Sequence, residues 1–174
     1  MTMRELASAL GVSAMTPYRY FRDKDDILAA VRARAFDRFA ETLEVAYGGA
    51  GTTVERSRAK RDAYIRFALE EPETYRLMFD LSQPTEEDYP DLVRAMARAR
   101  STMTTHVRDL VADGIFSGDP ELIGHVYWAM LHGAVTLHLA GKLSTQYNVS
   151  SQYGIDRIVA EATHALGVGF QAGS

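Results

Sequence analysis

Histidine is the residue type in this sequence best able to hold a metal ion, and the chain contains five histidines. His125 and His132 lie seven residues apart, which on a helix places both on one face but about 10 Å apart along the axis. That distance is too large for the two rings to bind one ion without further ligands, and His138 points in another direction. The chain has no cysteine, which excludes thiolate metal sites and disulfide bonds. The spacing therefore predicts no metal site.

Catalytic groups do not converge in this sequence either. It has no cysteine nucleophile, no serine, histidine and acid at a recognisable spacing, and no glycine-rich phosphate loop. We therefore expect neither an enzyme nor a bound cofactor. A small helical enzyme or carrier that binds an apolar molecule remains the alternative to a nucleic-acid-binding function.

The charge of the chain is unevenly distributed. The net charge is −4, but residues 1–22 carry Arg4, Arg19 and Arg22 against Glu5 alone, a local charge of +2. A basic N-terminal patch on an acidic body is compatible with a small nucleic-acid-binding head. No run approaches eighteen apolar residues, so we expect no membrane span, and a reducing cytoplasm fits the absence of cysteine.

Apolar residues recur at helical spacing and alternating strand patterns are scarce, so the sequence predicts an all-α protein. A glycine-rich stretch at 48–53 is the most obvious linker, and it divides the chain into residues 1–46 and 47–174. We predict eight helices, over residues 3–10, 14–20, 24–47, 54–71, 73–81, 92–111, 121–140 and 153–170.

The first helices have recognisable start and stop residues. Thr2 and Glu5 form a capping box, and Gly11 ends the first helix because glycine tolerates the left-handed conformation. Ser13 is the N-cap of the second helix and Asp23 that of the third. Two short helices joined by a tight glycine-containing turn have the dimensions of a helix-turn-helix.

Two parts of the sequence resemble one family. The string MRELASALGVSAMTPYRYFRDKDDILAAV closely resembles the DNA-binding segment of the TetR family of bacterial transcriptional repressors, with the turn at Gly11, the aromatic cluster 18–21 and Lys24 as matching features. The strings YIRFALEEPETYRLMF and YWAMLHGAVTLHLAGKL are similar to the regulatory domain of a TetR subgroup named for a Trp-His-Gly pattern, here Trp128, His132 and Gly133.

The resemblance implies that residues 1–46 are a helix-turn-helix DNA-binding domain whose second helix enters the major groove. The free amides at the start of that helix suit a phosphate, and methyl and methylene groups suit thymine methyls on base edges. The tyrosine hydroxyls are suited to phosphate contacts, and Phe21 to the core. The implied DNA-contacting set is Thr2, Ser13, Ala14, Met15, Thr16, Pro17, Tyr18, Tyr20 and Lys24.

For residues 47–174 the resemblance implies a helical regulatory and dimerisation domain with a cavity for an apolar or aromatic effector. Large adaptable side chains are more often plain core, and His132 is either a pocket residue or a hydrogen-bonded core histidine. The candidate pocket set is Tyr64, Phe67, Tyr75, Met78, Phe79, Met96, Met103, Trp128 and His132.

The helix over 121–140 is apolar on more than one face, so it needs a central position or a partner. In the family the last two helices form an isologous four-helix dimer interface. A homodimer is also what a palindromic operator requires, because its two reading helices must meet successive major grooves about 34 Å apart. The candidate interface set is Leu122, Val126, Met130, Gly133, Ala134, Leu137, Ile158, Ala162 and Leu166.

One feature of the family is missing from the sequence. Family members have a full helix before the helix-turn-helix, whereas this chain begins at Met1, at the cap of the equivalent of the second helix. That helix normally covers Leu6, Leu10, Val12 and Phe21. We therefore expect the natural protein to have further residues upstream, or the start codon to have been assigned too late.

Overall fold

The computed structural model describes residues 5, 8, 11, 13, 15–80, 86–143 and 154–173. The prediction of an all-α fold is confirmed, and the described ranges contain no strand. Two 3-10 helices, Pro17–Arg19 and Glu86–Asp88, accompany six α-helices. The six are α1 (Lys24–Tyr47), α2 (Thr53–Glu70), α3 (Pro72–Met78), α4 (Pro90–Ala112), α5 (Pro120–Leu139) and α6 (Ile155–Gly169).

Local cap residues and prolines explain where several helices begin. Asp23 Oδ1 accepts a hydrogen bond of 2.9 Å from the amide of Asp26 at the start of α1, and Asp119 accepts one from the amide of Glu121 at the start of α5. Pro72 and Pro120 occupy the first turn of α3 and α5, where a missing amide costs little. Gly11 has a positive φ of 66°, in agreement with its predicted role.

The predicted first helix, over 3–10, lies largely outside the described residues. Of its residues only Glu5 and Ser8 are described, and both are helical. The prediction of an α-helix over 14–20 is wrong for the described part of that range, because Pro17–Arg19 forms a 3-10 helix instead. Pro17 has no amide hydrogen to donate, so the bond of an α-helix back to the Ser13 carbonyl is impossible. The Thr16 amide donates to that carbonyl over 2.8 Å and tightens the turn.

Helix α1 runs from the N-terminal segment into the centre of the helical bundle. Its side chains from Ala29 to Leu43 belong to the same buried core as those of α2, α4 and α5. The Phe39 ring packs edge-on against Tyr64 and Phe67 of α2, with centroids 5.1 and 5.2 Å away. The predicted boundary between residues 46 and 47 falls just before the last residue of α1 and does not coincide with a gap in the core, and the domain division stays a prediction.

Ion pairs and a close helix crossing fix α4 against its neighbours. Arg98 of α4 pairs with Asp37 and Glu44 of α1. On its other side, α4 meets α5 at Gly124, where a Cβ atom would lie 2.8 Å from the Met103 carbonyl oxygen. A residue larger than glycine does not fit this crossing without a shift of the backbone.

The C-terminus folds back onto the loop between α4 and α5. The Ser117 amide donates to the Phe170 carbonyl over 2.8 Å, and the Ala172 amide donates to the Ile115 carbonyl over 3.2 Å. These bonds hold the end of α6 beside the end of α4 and close one side of an internal space between the helices.

Candidate functional site

The N-terminal segment presents large side chains to solvent. Met15, Tyr18 and Tyr20 are 66%, 47% and 76% exposed. Ser13 and Lys24 are exposed as well, whereas Thr16 and Phe21 are partly buried. Of the other residues in the predicted DNA-contacting set, Pro17 lies in the 3-10 helix, and Thr2 and Ala14 lie outside the described residues.

Hydrogen bonds order the turn before the exposed tyrosines. The Ser13 hydroxyl accepts a long bond of 3.4 Å from the Met15 amide, and the Arg19 amide donates to the Thr16 carbonyl over 3.2 Å. The Arg22 guanidinium and amide both bind the Asp26 carboxylate, and the side-chain bond lowers the pKa of Asp26 to about 2. These contacts connect the turn to the first turn of α1.

A cavity of about 880 Å³ lies between α2, α4, α5 and α6, and Leu43 of α1 reaches its wall. This volume is within the range of about 300 to 1,000 Å³ of small-molecule sites. Gly124 lies in the wall at the α4–α5 crossing, and the Phe116 and Tyr127 rings stack beside it with centroids 6.0 Å apart. Most of the lining is apolar, and it includes Val54, Tyr64, Met103, Leu110, Ile115, Phe116, Tyr127, Trp128 and Leu131.

The predicted pocket residues are divided between two cavities and the core. Tyr64, Met103 and Trp128 line the 880 Å³ cavity. A neighbouring cavity of about 510 Å³ is lined by Met78, Phe79 and Met96, and it shares Met103 and Trp128 with the larger one. Phe67, Tyr75 and His132 line neither cavity.

Tyr75 and His132 instead extend a chain of hydrogen bonds inward from the cavity wall. The Tyr64 and Tyr75 hydroxyl oxygens are 2.6 Å apart, and the Tyr75 oxygen is 2.7 Å from His132 Nδ1. Burial raises the pKa of both tyrosines and lowers that of His132. His132 is partly buried and is connected through Tyr75 to Tyr64 in the cavity wall, and the choice between a pocket role and a core role stays open.

Two cavity residues that sequence reasoning missed are Lys60 of α2 and His106 of α4. Lys60 is only 4% exposed, and its Nζ atom lies 2.9 Å from His106 Nδ1. Burial lowers the pKa of Lys60 to about 7, and burial together with the Lys60 charge lowers the pKa of His106 to about 3. The available signal was spacing, because Lys60 lies one helical turn before Tyr64 and so on the buried face of α2.

Polar groups of α1, α2 and α4 surround this pair. The Tyr47 ring lies 5.6 Å from Lys60 Nζ, and the Arg56 guanidinium lies 4.8 Å from the same ring. The Tyr47 hydroxyl donates to Asp109, and burial followed by this bond raises the pKa of Tyr47 to about 12. One end of the cavity therefore carries the polar Lys60–His106 pair, whereas most of the remaining lining is apolar.

The predicted interface residues lie on α5 and α6 with mixed exposure. Leu122 and Leu137 are exposed, and Ala134 is buried in the core. A Cβ atom at Gly133 would meet nothing within 4 Å, so the surface is open at that point. The remaining residues of the set, which are Val126, Met130, Ile158, Ala162 and Leu166, are partly buried. No helix in the described ranges is both long and apolar enough to span a membrane.

Comparison with known families gives two matches on the chain. The model for "Tetracyclin repressor-like, C-terminal domain" matches residues 57–161. The model for "Bacterial regulatory proteins, tetR family" matches residues 1–31. The first match covers most of α2, all of α4 and α5 and the start of α6, and the second covers the N-terminal segment and the start of α1. No curated protein matches the chain.

Several solved structures share the fold. A protein of unknown function from Rhodococcus sp. RHA1 has a TM-score of 0.82 and 28% identity, over 98% of this chain and 85% of the other. PfmR, a TetR family transcriptional regulator from Thermus thermophilus, has a TM-score of 0.69 and 21% identity, over 98% and 88%. A TetR family transcription regulator from Marinobacter aquaeolei has a TM-score of 0.68 and 18% identity, over 92% and 83%.

Proposed function

The chain belongs to the TetR family of bacterial regulatory proteins, and on that premise we propose that it is a homodimeric repressor that releases a palindromic operator when an effector binds. It acts on DNA in the cytoplasm and has no catalytic role. One observation carries the proposal: a single helix, α1, connects the exposed N-terminal segment to the wall of the cavity.

The exposed N-terminal segment is the DNA-reading surface in this proposal. Tyr18 and Tyr20 are exposed residues whose side chains end in hydroxyls, as a contact to phosphate requires. Met15 offers an apolar side chain for thymine methyls. The 3-10 geometry makes the reading element shorter than a full recognition helix, so shape and apolar contact contribute more than hydrogen bonds to bases. The proposed contact set remains Thr2, Ser13, Ala14, Met15, Thr16, Pro17, Tyr18, Tyr20 and Lys24.

The faces of α5 and α6 that carry exposed apolar residues form the dimer interface in this proposal. Leu122 and Leu137 are costly to leave in water, and the open surface at Gly133 permits close approach of a partner helix. A two-fold axis through this interface places two identical reading segments on one side of the dimer, as a palindromic operator requires.

Helix α1 is the connection between effector and operator. Its 24 residues correspond to about 36 Å along the axis. Leu43 near its end lines the large cavity, while Phe36 and Phe39 line the smaller one. An effector that binds more tightly to one orientation of α1 therefore changes the separation of the two reading segments, and its differential affinity sets the extent of induction.

The test is a footprint of the purified protein on the DNA upstream of its own gene. We expect protection of two half-sites with centres about 10 to 10.5 base pairs apart, or a multiple of that spacing. Tyr20→Ala is the matched variant and should lose this protection, because the Tyr20 side chain is 76% exposed and belongs to the proposed contact set. Uniform protection of all sequences, or none, would reject the proposal.

A further inference from the structure

We infer that the 880 Å³ cavity binds an apolar monocarboxylate, whose carboxylate pairs with the Lys60 ammonium while its hydrocarbon or aromatic body fills the apolar remainder. This deepens the proposed function by giving the chemical class of the effector, and it rests on that function only for the effect on DNA. The binding itself can be measured without DNA.

The first support is that Lys60 is a buried amino group with no carboxylate paired to it in the described structure. Its nearest polar neighbour is the His106 ring at 2.9 Å, and within the described ranges it makes no ion pair. Asp109 and Glu44 act on it only over a longer distance, and both are engaged elsewhere, Asp109 with Tyr47 and Glu44 with Arg98. A charge removed from water without a partner is costly, and an arriving carboxylate would offset that cost.

A buried arginine in the same protein shows the usual arrangement of a buried cation. Arg32 is as buried as Lys60, but its guanidinium pairs with the Glu86 carboxylate at 2.7 Å and also donates to the Met78 carbonyl. Lys60 has no such carboxylate partner within the described ranges. Lys60 therefore lines a cavity without a carboxylate partner in the described structure, and an anion in that cavity would supply one.

The charges of the residues that line the large cavity also favour a bound anion. Although the chain carries a net charge of −4, the charged side chains that line the large cavity in the described structure are Arg58, Lys60 and Arg61, without an aspartate or glutamate. Arg61 is paired with Asp62 outside the cavity, and Arg58 is exposed. Lys60 is consequently the deep charge and the arginines lie closer to solvent, which favours entry of an anion.

The arrangement favours a monoanion with an apolar body. One deep ammonium balances one negative charge, whereas a phosphate with two charges would leave the second buried and unpaired. The rest of the lining, which includes Leu110, Phe116, Tyr127 and Leu131, gains from contact with hydrocarbon or aromatic carbon.

The test uses the full chain and three pairs of probes: octanoate with octan-1-ol, decanoate with decan-1-ol, and 4-phenylbutyrate with 4-phenylbutan-1-ol. Isothermal titration calorimetry gives each affinity. We expect at least one acid to bind ten-fold or more tightly than its alcohol. Lys60→Met should abolish that preference while leaving the alcohol's affinity unchanged or higher. Lys142→Met is the control, since Lys142 is exposed and outside the cavity.

A second measurement needs no variant. Binding of the acid should be accompanied by proton uptake at pH 8, because the carboxylate favours the charged ammonium, and titrations in two buffers of different ionisation enthalpy measure that uptake. Equal affinities of all three acids and their alcohols, an acid preference that survives in Lys60→Met, or no proton uptake would overturn the inference. None of these results depends on whether the protein binds an operator, so the two proposals fail separately.

Discussion

The Lys60 ammonium nitrogen of α2 lies 2.9 Å from the His106 Nδ1 atom of α4, and this contact forms the polar end of the large cavity. The pair costs stability in the empty protein, because burial disfavours charge on both groups. Buried ionisable groups with shifted pKa values cluster at functional sites, and a bound anion would offset the loss of hydration of the Lys60 charge.

The same pair predicts how stability depends on pH. The pKa of Lys60 falls from 10.5 to about 7 on folding, so between these values the unfolded chain binds more protons than the folded one. Its contribution to the free energy of unfolding therefore rises with pH from about 7 to 10.5. In urea unfolding at pH 7, 8 and 9, the stability of the wild type relative to Lys60→Met should rise. A constant difference across the three pH values would show that Lys60 is charged in the folded protein.

The affinity for a carboxylate should fall as pH rises. Above pH 7 the Lys60 of the empty protein loses its proton, and binding must then recruit one. We expect the affinity for the tightest-binding acid to decrease by up to about ten-fold per pH unit between pH 7.5 and 9, while that of the matching alcohol stays constant. The groups facing Lys60 are Glu44 and Tyr47 of α1, Arg56 of α2, and His106 and Asp109 of α4. Calorimetric titration at three pH values measures the slope, and a flat profile for the acid would contradict this assignment.

The exposed tyrosine hydroxyls should matter for DNA and not for folding. Tyr18→Phe and Tyr20→Phe each remove one hydrogen-bond donor from a side chain that is at least 47% exposed. We expect each to weaken operator binding by about three- to ten-fold, as loss of one phosphate contact does. The melting temperature should stay within about one degree of the wild type. Unchanged DNA affinity in both variants would place the reading surface elsewhere.

The dimer interface can be tested with a charge on α5. Leu137→Arg places a cation in the proposed apolar contact and should give a monomer in light scattering after gel filtration. Val45→Arg is the control, because Val45 is an even more exposed apolar residue but lies on α1. A dimer that persists in Leu137→Arg would exclude this face of α5 from the interface.

The close crossing of α4 and α5 predicts an unusual cost for a small substitution. Gly124→Ala places a Cβ atom 2.8 Å from the Met103 carbonyl oxygen, which backbone cannot easily avoid. We expect a net loss of about 1 to 2 kcal/mol, since overpacking outweighs the gain in helix propensity. Gly169→Ala is the matched control, because the space at Gly169 is open. Equal urea midpoints of the two variants would contradict the crossing geometry.

The sequence predicts the helices well because their signals are local. Asp23, Asp119, Pro72 and Pro120 act on amides within their own first turn, so neighbours in the chain are enough to place them. The prediction of an α-helix for the reading element is wrong. Pro17 has no amide hydrogen for an α-helical bond, and the chain forms a 3-10 turn there instead.

The cavity could be predicted only in part, because it depends on packing between distant elements. Lys60 and His106 are 46 residues apart, so the pattern of neither helix alone indicates that the two side chains meet. Trp128 and Met103, which belong to the predicted pocket set, line both cavities. Which side chains line a space and which fill the core is decided by helix crossings, and Gly124 fixes the crossing that matters here.

The most direct test of the central proposal is a fluorescence anisotropy titration of the full chain against two labelled duplexes of equal length and composition. One is the DNA upstream of its own gene and the other is a shuffled sequence. At physiological salt the account predicts an affinity at least about 10³-fold higher for the upstream duplex, with two chains bound per site. Equal affinities for the two duplexes, both falling steeply with salt, would contradict it.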